Sequence, residues 1–362
     1  MKFSGTAKEY LDTLINVRSN NIDYNDLFVY FLEQGFMLSE EEVHDLMEEQ
    51  GLTAIDAYKS SMSDFLQIEF EEESEIYVDA AIKEVKPDEF LSNPYVKAIN
   101  ISSVKLGKYT LCKDKYLPYE IFPRDDINVL DDYIEQPQIG YFTKPFSFLA
   151  LREKNVTWMS LNPNEINTMK KAIDNASGNV LVLGLGLGYY PFMISLKDDV
   201  KEITIIEKDK DIITLFKENI LPNFKHKEKI KIIQDDAMKY IKKLENKASF
   251  DYLFADLWHN QEDGLPLYID LLKEARRLNL RSDYWLETSL ICYIRRMMVF
   301  DMWLIEYEHQ PEADFIKVIN PIDRYINNIY FVIKDKEFST KEELKNYLSD
   351  QSIKELLINE KI

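Results

Sequence analysis

The chain has 362 residues, 46% hydrophobic and 13% aromatic, with 64 Asp and Glu against 44 Lys and Arg. That apolar content excludes wholesale disorder, and a formal charge of -20 repels polyanions, so nucleic acid is disfavoured as a partner. No run approaches the roughly 18 apolar residues of a membrane span. The first residues show no leader-like apolar run, and Cys112 and Cys292 alone make no disulfide framework, which suits a reducing cytoplasm.

Charge divides the chain. Residues 1–100 carry 22 acidic and 7 basic side chains, while the remainder is close to neutral. Two or three domains are expected at this length. The expected units are an acidic helical N-terminal domain (1–86), a β-rich connector and hairpin region (87–161), a Rossmann-like domain (162–335) and a C-terminal helix (336–362).

In the first unit, Ser39-Glu40-Glu41-Glu42 forms a capping box, followed by Val43, Leu46 and Met47 at helical spacing and closed by Gly51. Thr53 opens another helix with Ile55, Tyr58, Met62, Phe65 and Leu66 inward. The acidic run Glu69, Glu71, Glu72, Glu73 and Glu75 reads as a solvated helix start, or as a docking face for a basic partner. Homo-oligomerisation or a protein partner through this unit stays open.

Prolines at 87, 94, 118, 123, 137 and 145 then break helices repeatedly, and short apolar runs such as Tyr109–Leu111 and Tyr119–Phe122 suggest strands. Phe146–Leu151 and Val156–Leu161 flank a polar turn, the pattern of a hairpin. The aromatics Tyr141, Phe142, Phe146, Phe148 and Trp158 fit either a hairpin core or a lid over a ligand. Asn162-Pro163-Asn164-Glu165 opens a helix that should run to about Ala176.

From residue 178 strands and helices alternate. Val180–Leu183, Ile203–Ile206, Ile230–Ile233 and Tyr252–Ala255 are continuous apolar strands, with helices expected over 189–196, 209–219, 236–245 and 262–280. Tyr284–Leu286 is a fifth strand candidate and Ile329–Ile333 a late one. Ser339 or Thr340 caps a charged C-terminal helix. The pattern predicts an α/β fold, a doubly wound Rossmann-like mostly parallel sheet, preceded by the helical domain and the connector.

The first of these strands runs into Gly184-Leu185-Gly186-Leu187-Gly188, a turn whose missing Cβ atoms let a ligand approach the backbone. Glu207 ends the second strand, where an acid can take two ribose hydroxyls. Tyr189 or Pro191 falls where a dinucleotide fingerprint needs a small residue, and no Gly-Lys-Ser/Thr follows, so a phosphate loop fails. Gln234-Asp235-Asp236-Ala237 ends the third strand, with Asp236 placed as a helix N-cap, and Asp256-Leu257-Trp258-His259-Asn260 follows the fourth.

This succession of strand ends resembles the class I S-adenosylmethionine-dependent methyltransferases, spermidine-synthase-like relatives included, over about residues 178–335. The resemblance implies S-adenosylmethionine as cofactor. Gly184, Leu185, Gly186 and Gly188 would pass beneath its methionine part, Glu207 would hold the ribose, Asp236 and Ala237 would flank the adenine, and Asp256 would face the reacting centre. Family members often carry an acid where Val182 stands, so the methionine ammonium needs another partner. Asp256 or His259 would serve as base, with Trp258 packing against the acceptor or the cationic centre.

The expected activity is methyl transfer to a small cationic or neutral acceptor. Aminopropyl transfer is the alternative enzyme reading, and a non-catalytic S-adenosylmethionine-binding scaffold is the alternative without chemistry. Methyl transfer requires no metal, and Asp256 with Glu287 and Thr288 leaves a Mg²⁺ site as a lesser reading.

Overall fold

A computed structural model describes residues 1–35, 37–66, 75–78, 81–154, 156–245, 250–308 and 321–359. Three helices come first: α1 (Gly5–Glu33), α2 (Glu40–Gln50) and α3 (Ala54–Leu66). The Ser39 capping box forms with Glu42, and Gly51 ends α2 in the left-handed conformation. In α3, Tyr58 and Met62 are buried but Phe65 is exposed, contrary to its expected inward face. Of the acidic run, only Glu75 falls among the described residues.

The connector contributes an antiparallel sheet of β1 (Ser103–Leu106), β2 (Tyr109–Tyr116), β3 (Phe146–Glu153) and β4 (Val156–Ser160), in the order β4-β3-β2-β1. The predicted hairpin is β3–β4. Its register slips between Thr157 and Met159, leaving Trp158 as the extra residue of a bulge. The strand expected at Tyr119–Phe122 shrinks to Phe122–Pro123, because Tyr119 sits at φ 60° and turns the chain. The helix expected over 163–176 breaks at Met169 into α4 (Pro163–Thr168) and α5 (Lys170–Asn175).

Five parallel strands follow: β5 (Gly178–Leu183), β6 (Val200–Glu207), β7 (Ile230–Gln234), β8 (Tyr252–Ala255) and β9 (Arg281–Tyr284). Their order is β7-β6-β5-β8-β9, every neighbouring pair parallel. The helices between them are α6 (Tyr189–Ser195), α7 (Lys210–Leu215), α8 (Ala237–Lys243) and α9 (Gln261–Leu278). Strand β9 lies upstream of the expected Tyr284–Leu286, since Leu286 adopts φ 51° and starts a helix instead.

That helix is α10 (Glu287–Trp303), and after it come α11 (Pro321–Ile333), α12 (Lys341–Tyr347) and α13 (Asp350–Asn359). The late strand expected at Ile329–Ile333 is therefore the end of helix α11. Ile329 and Ile333 are buried one helical turn apart while Phe331 is exposed, so packing overrides the strand preference of a β-branched and aromatic run. Thr340 is the cap of α12.

The strands alternate between two cores, which is why their apolar runs are unbroken. Leu181, Leu183, Leu253 and Ala255 face α9, α10 and the C-terminal helices. Val180, Val182, Tyr252 and Phe254 face α6, α7 and the connector. Helix α1 spans two environments. Tyr10, Leu11 and Leu14 join the first of these cores, whereas Phe28 and Phe31 join a third with Tyr58, Met62 and Tyr141. No helix among the described residues is long and apolar enough to cross a membrane.

Candidate active site

The strand order reverses between β5 and β8, and ligands bind at the carboxyl ends of such sheets. A cleft of about 410 Å³ lies there. It gathers Gly184, Leu185, Gly186, Glu207, Asp236, Ala237, Asp256, Trp258 and His259, the predicted site residues apart from Gly188, which does not line it.

The three loop glycines have different reasons to be glycine. All have positive φ: 94° at Gly184, 54° at Gly186 and 75° at Gly188. A Cβ on Gly184 would stand 2.2 Å from the carbonyl oxygen of Asp256, and one on Gly188 would stand 2.3 Å from the Phe216 ring. Those two keep loop, β8 and α7 region close together. A Cβ on Gly186 meets nothing within 4 Å. Gly186 is thus the position where backbone faces open space, as the passage of a ligand requires. Among the described residues, no acceptor takes the N–H groups of Gly186 and Leu187, whereas Gly184 donates to Ile206 and Gly188 to Leu185.

Glu207 is only 8% exposed, and no basic side chain pairs with it among the described residues. Its Oε2 accepts from the Leu185 N–H (3.2 Å) and its Oε1 from the Asp209 N–H (2.8 Å), so the carboxylate ties the glycine loop to the turn after β6. Asp209 caps α7 and also accepts from the Tyr109 hydroxyl at 2.9 Å, which brings the connector's β2 over this end of the cleft. Asp236 caps α8, accepting from the Lys239 N–H at 2.8 Å. Asp235 points instead toward Lys243 (3.4 Å).

At the other end, Asp256 follows β8. Burial pushes its carboxyl up to about 7, with His259 opposing the shift and the charge of Glu207 adding to it. Beside it is Glu165 on α4, whose carboxyl is also raised, by burial first and by the charge of Asp256 second. The two acids cannot both ionise cheaply at neutral pH, so the pair holds a proton. No hydrogen-bond donor reaches either carboxylate among the described residues.

Trp258 is buried against the first turn of α9, where a Cβ on Gly264 would come within 2.9 Å of the indole. Its neighbour His259 is exposed, with Nδ1 at 3.1 Å from Asp263. The Trp158 ring lies 4.6 Å from that imidazole, aimed there by the bulge in β4. Of the aromatics weighed as a lid, only Trp158 reaches the cleft, and Tyr141, Phe142 and Phe146 are core residues. Trp285 closes the far wall, its Nε1–H donating to Thr168 at 3.2 Å. Glu287, the weighed magnesium partner of Asp256, is turned away, bonded to Tyr268 (2.9 Å) and Lys354 (2.7 Å).

Glu165, Tyr109 and Trp285 were missed as site residues. Glu165 had a sequence signal, but the cap position explained it fully. Trp158 was weighed only as part of an aromatic group.

Residues 164–333, just under half of the chain, match the spermine/spermidine synthase domain family. No curated protein matches. Among solved structures, spermidine synthase from Thermotoga maritima aligns at 14% identity with a TM-score of 0.32, covering 54% of this chain and 62% of that one. A spermidine synthase in complex with the transition-state analogue AdoDATO aligns at 15% identity and TM-score 0.31, covering 54% and 61%. A protein from Klebsiella pneumoniae described as an O-methyltransferase aligns at 17% identity and TM-score 0.22, covering 30% and 44%. The chain spans less than two thirds of each of these three, and at such scores the alignments carry no argument about activity. The domain match agrees with the resemblance read from the motifs, which includes spermidine-synthase-like relatives.

Proposed function

We propose that the cleft binds S-adenosylmethionine and that the protein transfers its methyl group to a small-molecule nucleophile. The observation that carries this reading is the sharing of one cleft by the Gly186 opening, the fixed Glu207 carboxylate and the unpaired Asp256–Glu165 acids. The residues fit the group. The loop backbone at Gly186 leaves room for the tail, and Glu207, rigidly held, keeps lone pairs for two sugar hydroxyls. Asp236 and Ala237 lie where a purine would rest. When bound, the cofactor supplies a sulfonium-activated methyl group, so the protein has little covalent chemistry of its own to do.

What remains for the chain is to orient the acceptor, exclude water and take a proton. Asp256 is the base of this reading. With an affinity near neutrality, set first by burial, then by His259 pulling it down and the Glu207 charge pushing it up, it can take a proton from an acceptor at pH 7 and pass it on. His259 lies at the exposed mouth, where its partner Asp263 fixes the ring; its task is to shape the opening with Trp158.

The spermine/spermidine synthase match favours a second reading, aminopropyl transfer from the decarboxylated cofactor. The loop speaks for the carboxylated one. The N–H groups of Gly186 and Leu187 suit a carboxylate, and Gly184–Gly188 contains no acid for a lone ammonium. Calorimetric titration with S-adenosylmethionine, its decarboxylated form and S-adenosylhomocysteine separates the readings. Methyl transfer expects the first and third to bind at least tenfold tighter than the second. The reverse order establishes aminopropyl transfer, and no binding at millimolar concentration overturns both.

A further inference from the structure

We infer that the acceptor half of the cleft is built for a single amine carried on a flat, apolar body, in preference to a linear diamine or an alcohol. This inference rests on the transfer reading above and specifies its substrate class. It starts from how the charges divide. Five carboxylates line the cleft: Glu165, Glu207, Asp209, Asp236 and Asp256. Three belong to the nucleoside end and are engaged. Glu207 accepts from Leu185 and Asp209, Asp209 from Tyr109, Asp211 and Ile212, and Asp236 from Lys239.

Only Glu165 and Asp256 remain for an acceptor, and they are neighbours that interact electrostatically. Sharing a proton, they present one negative charge at one place. An ammonium or amine matches that single charge and supplies the donors that both carboxylates lack. An alcohol would leave the charge buried and uncompensated, which is costly. A linear diamine would need a second acid at its far end. The rest of the lining includes Trp158, Trp285 and the buried indole of Trp258 and offers no further free acid among the described residues.

These walls are fixed. Trp285 is tied to Thr168, Trp258 lies on Gly264, and the β4 bulge sets Trp158 against His259. Indoles held in fixed positions favour a planar aromatic partner and a nearby cation.

The test uses the full chain saturated with S-adenosylhomocysteine, titrated calorimetrically at pH 7.5 with 2-phenylethylamine, 2-phenylethanol and 1,4-diaminobutane. 2-Phenylethylamine is expected to bind at least tenfold tighter than either other probe. The double variant E165Q/D256N, which removes the charge, is expected to weaken that binding at least tenfold, and W158A at least fivefold, while both variants still bind S-adenosylhomocysteine. Trp158 is exposed, so W158A leaves the core intact and serves if the double variant misfolds. Equal or tighter binding of the diamine or the alcohol overturns the inference, as does failure of all three probes while S-adenosylhomocysteine binds. Failure of S-adenosylhomocysteine itself overturns the parent reading.

Discussion

Replacing Asp256 with Asn should make the protein more stable at alkaline pH while removing its transfer activity. The Asp256 carboxyl is raised from 3.8 to about 7 by burial. A raised carboxyl favours folding most when protonated in both states, below its unfolded value. That advantage is lost as pH climbs from about 4 through about 7, because folding must then keep an ionised group out of water. Three pH units at about 1.4 kcal/mol each give an upper bound of about 4 kcal/mol at pH 8. Glu165 shares the proton, so a gain of about 1–4 kcal/mol is expected for D256N, or a few degrees at roughly 2 °C per kcal/mol. The assay is thermal unfolding of both proteins at pH 4.5, 6, 7 and 8. The gap between them should be near zero at pH 4.5 and widen steadily to pH 8. A gap that does not change with pH, or a variant less stable at pH 8, would refute the argument that Asp256 is held against its ionisation.

Other expectations follow from the same geometry. E165Q leaves Asp256 to titrate alone, with its shift still set by burial, His259 and the Glu207 charge, so the acid limb of the transfer rate should stay within about half a pH unit of the unaltered protein, read from a kcat/KM profile; a move of a full unit means that Glu165 is ionised beside Asp256. G188A should cost about 2–5 kcal/mol by urea unfolding, since it adds left-handed strain to a clash with Phe216. G186A should cost only about 1–2 kcal/mol yet weaken S-adenosylhomocysteine binding at least tenfold. Equal stability costs for the two alanines would contradict the division of labour in the loop. Y109F should lose about 1 kcal/mol, the contribution of one hydrogen bond to Asp209, measured by the same unfolding.

The parallel sheet was legible because its signal is local. Continuous apolar strands ending in glycine or acid recur at regular spacing, and the elements at 178–278 fall within a few residues of the expectation. The Glu207 and Asp236 end of the cleft was legible for the same reason, since both residues follow their strands directly. The Asp256 and Glu165 end was not. Glu165 meets Asp256 only because α4 leads into the first parallel strand, a tertiary fact that no spacing encodes. The bulge that turns Trp158 toward His259 depends on a slipped register, and the Tyr109–Asp209 bond joins two sheets. Helix α11 misled the reading because Ile329–Ile333 has strand chemistry, and only burial on one helical face shows otherwise. Gly184 and Gly188 were read as ligand positions, yet the neighbouring backbone and ring already require them.

The most direct measurement is the dissociation constant of S-adenosylhomocysteine for the unaltered protein and for E207Q, by calorimetry, with melting temperatures alongside. One site per chain is expected, with affinity at least tenfold weaker in a variant that still folds. Equal affinity in the two proteins would contradict the placement of a nucleoside sugar on Glu207.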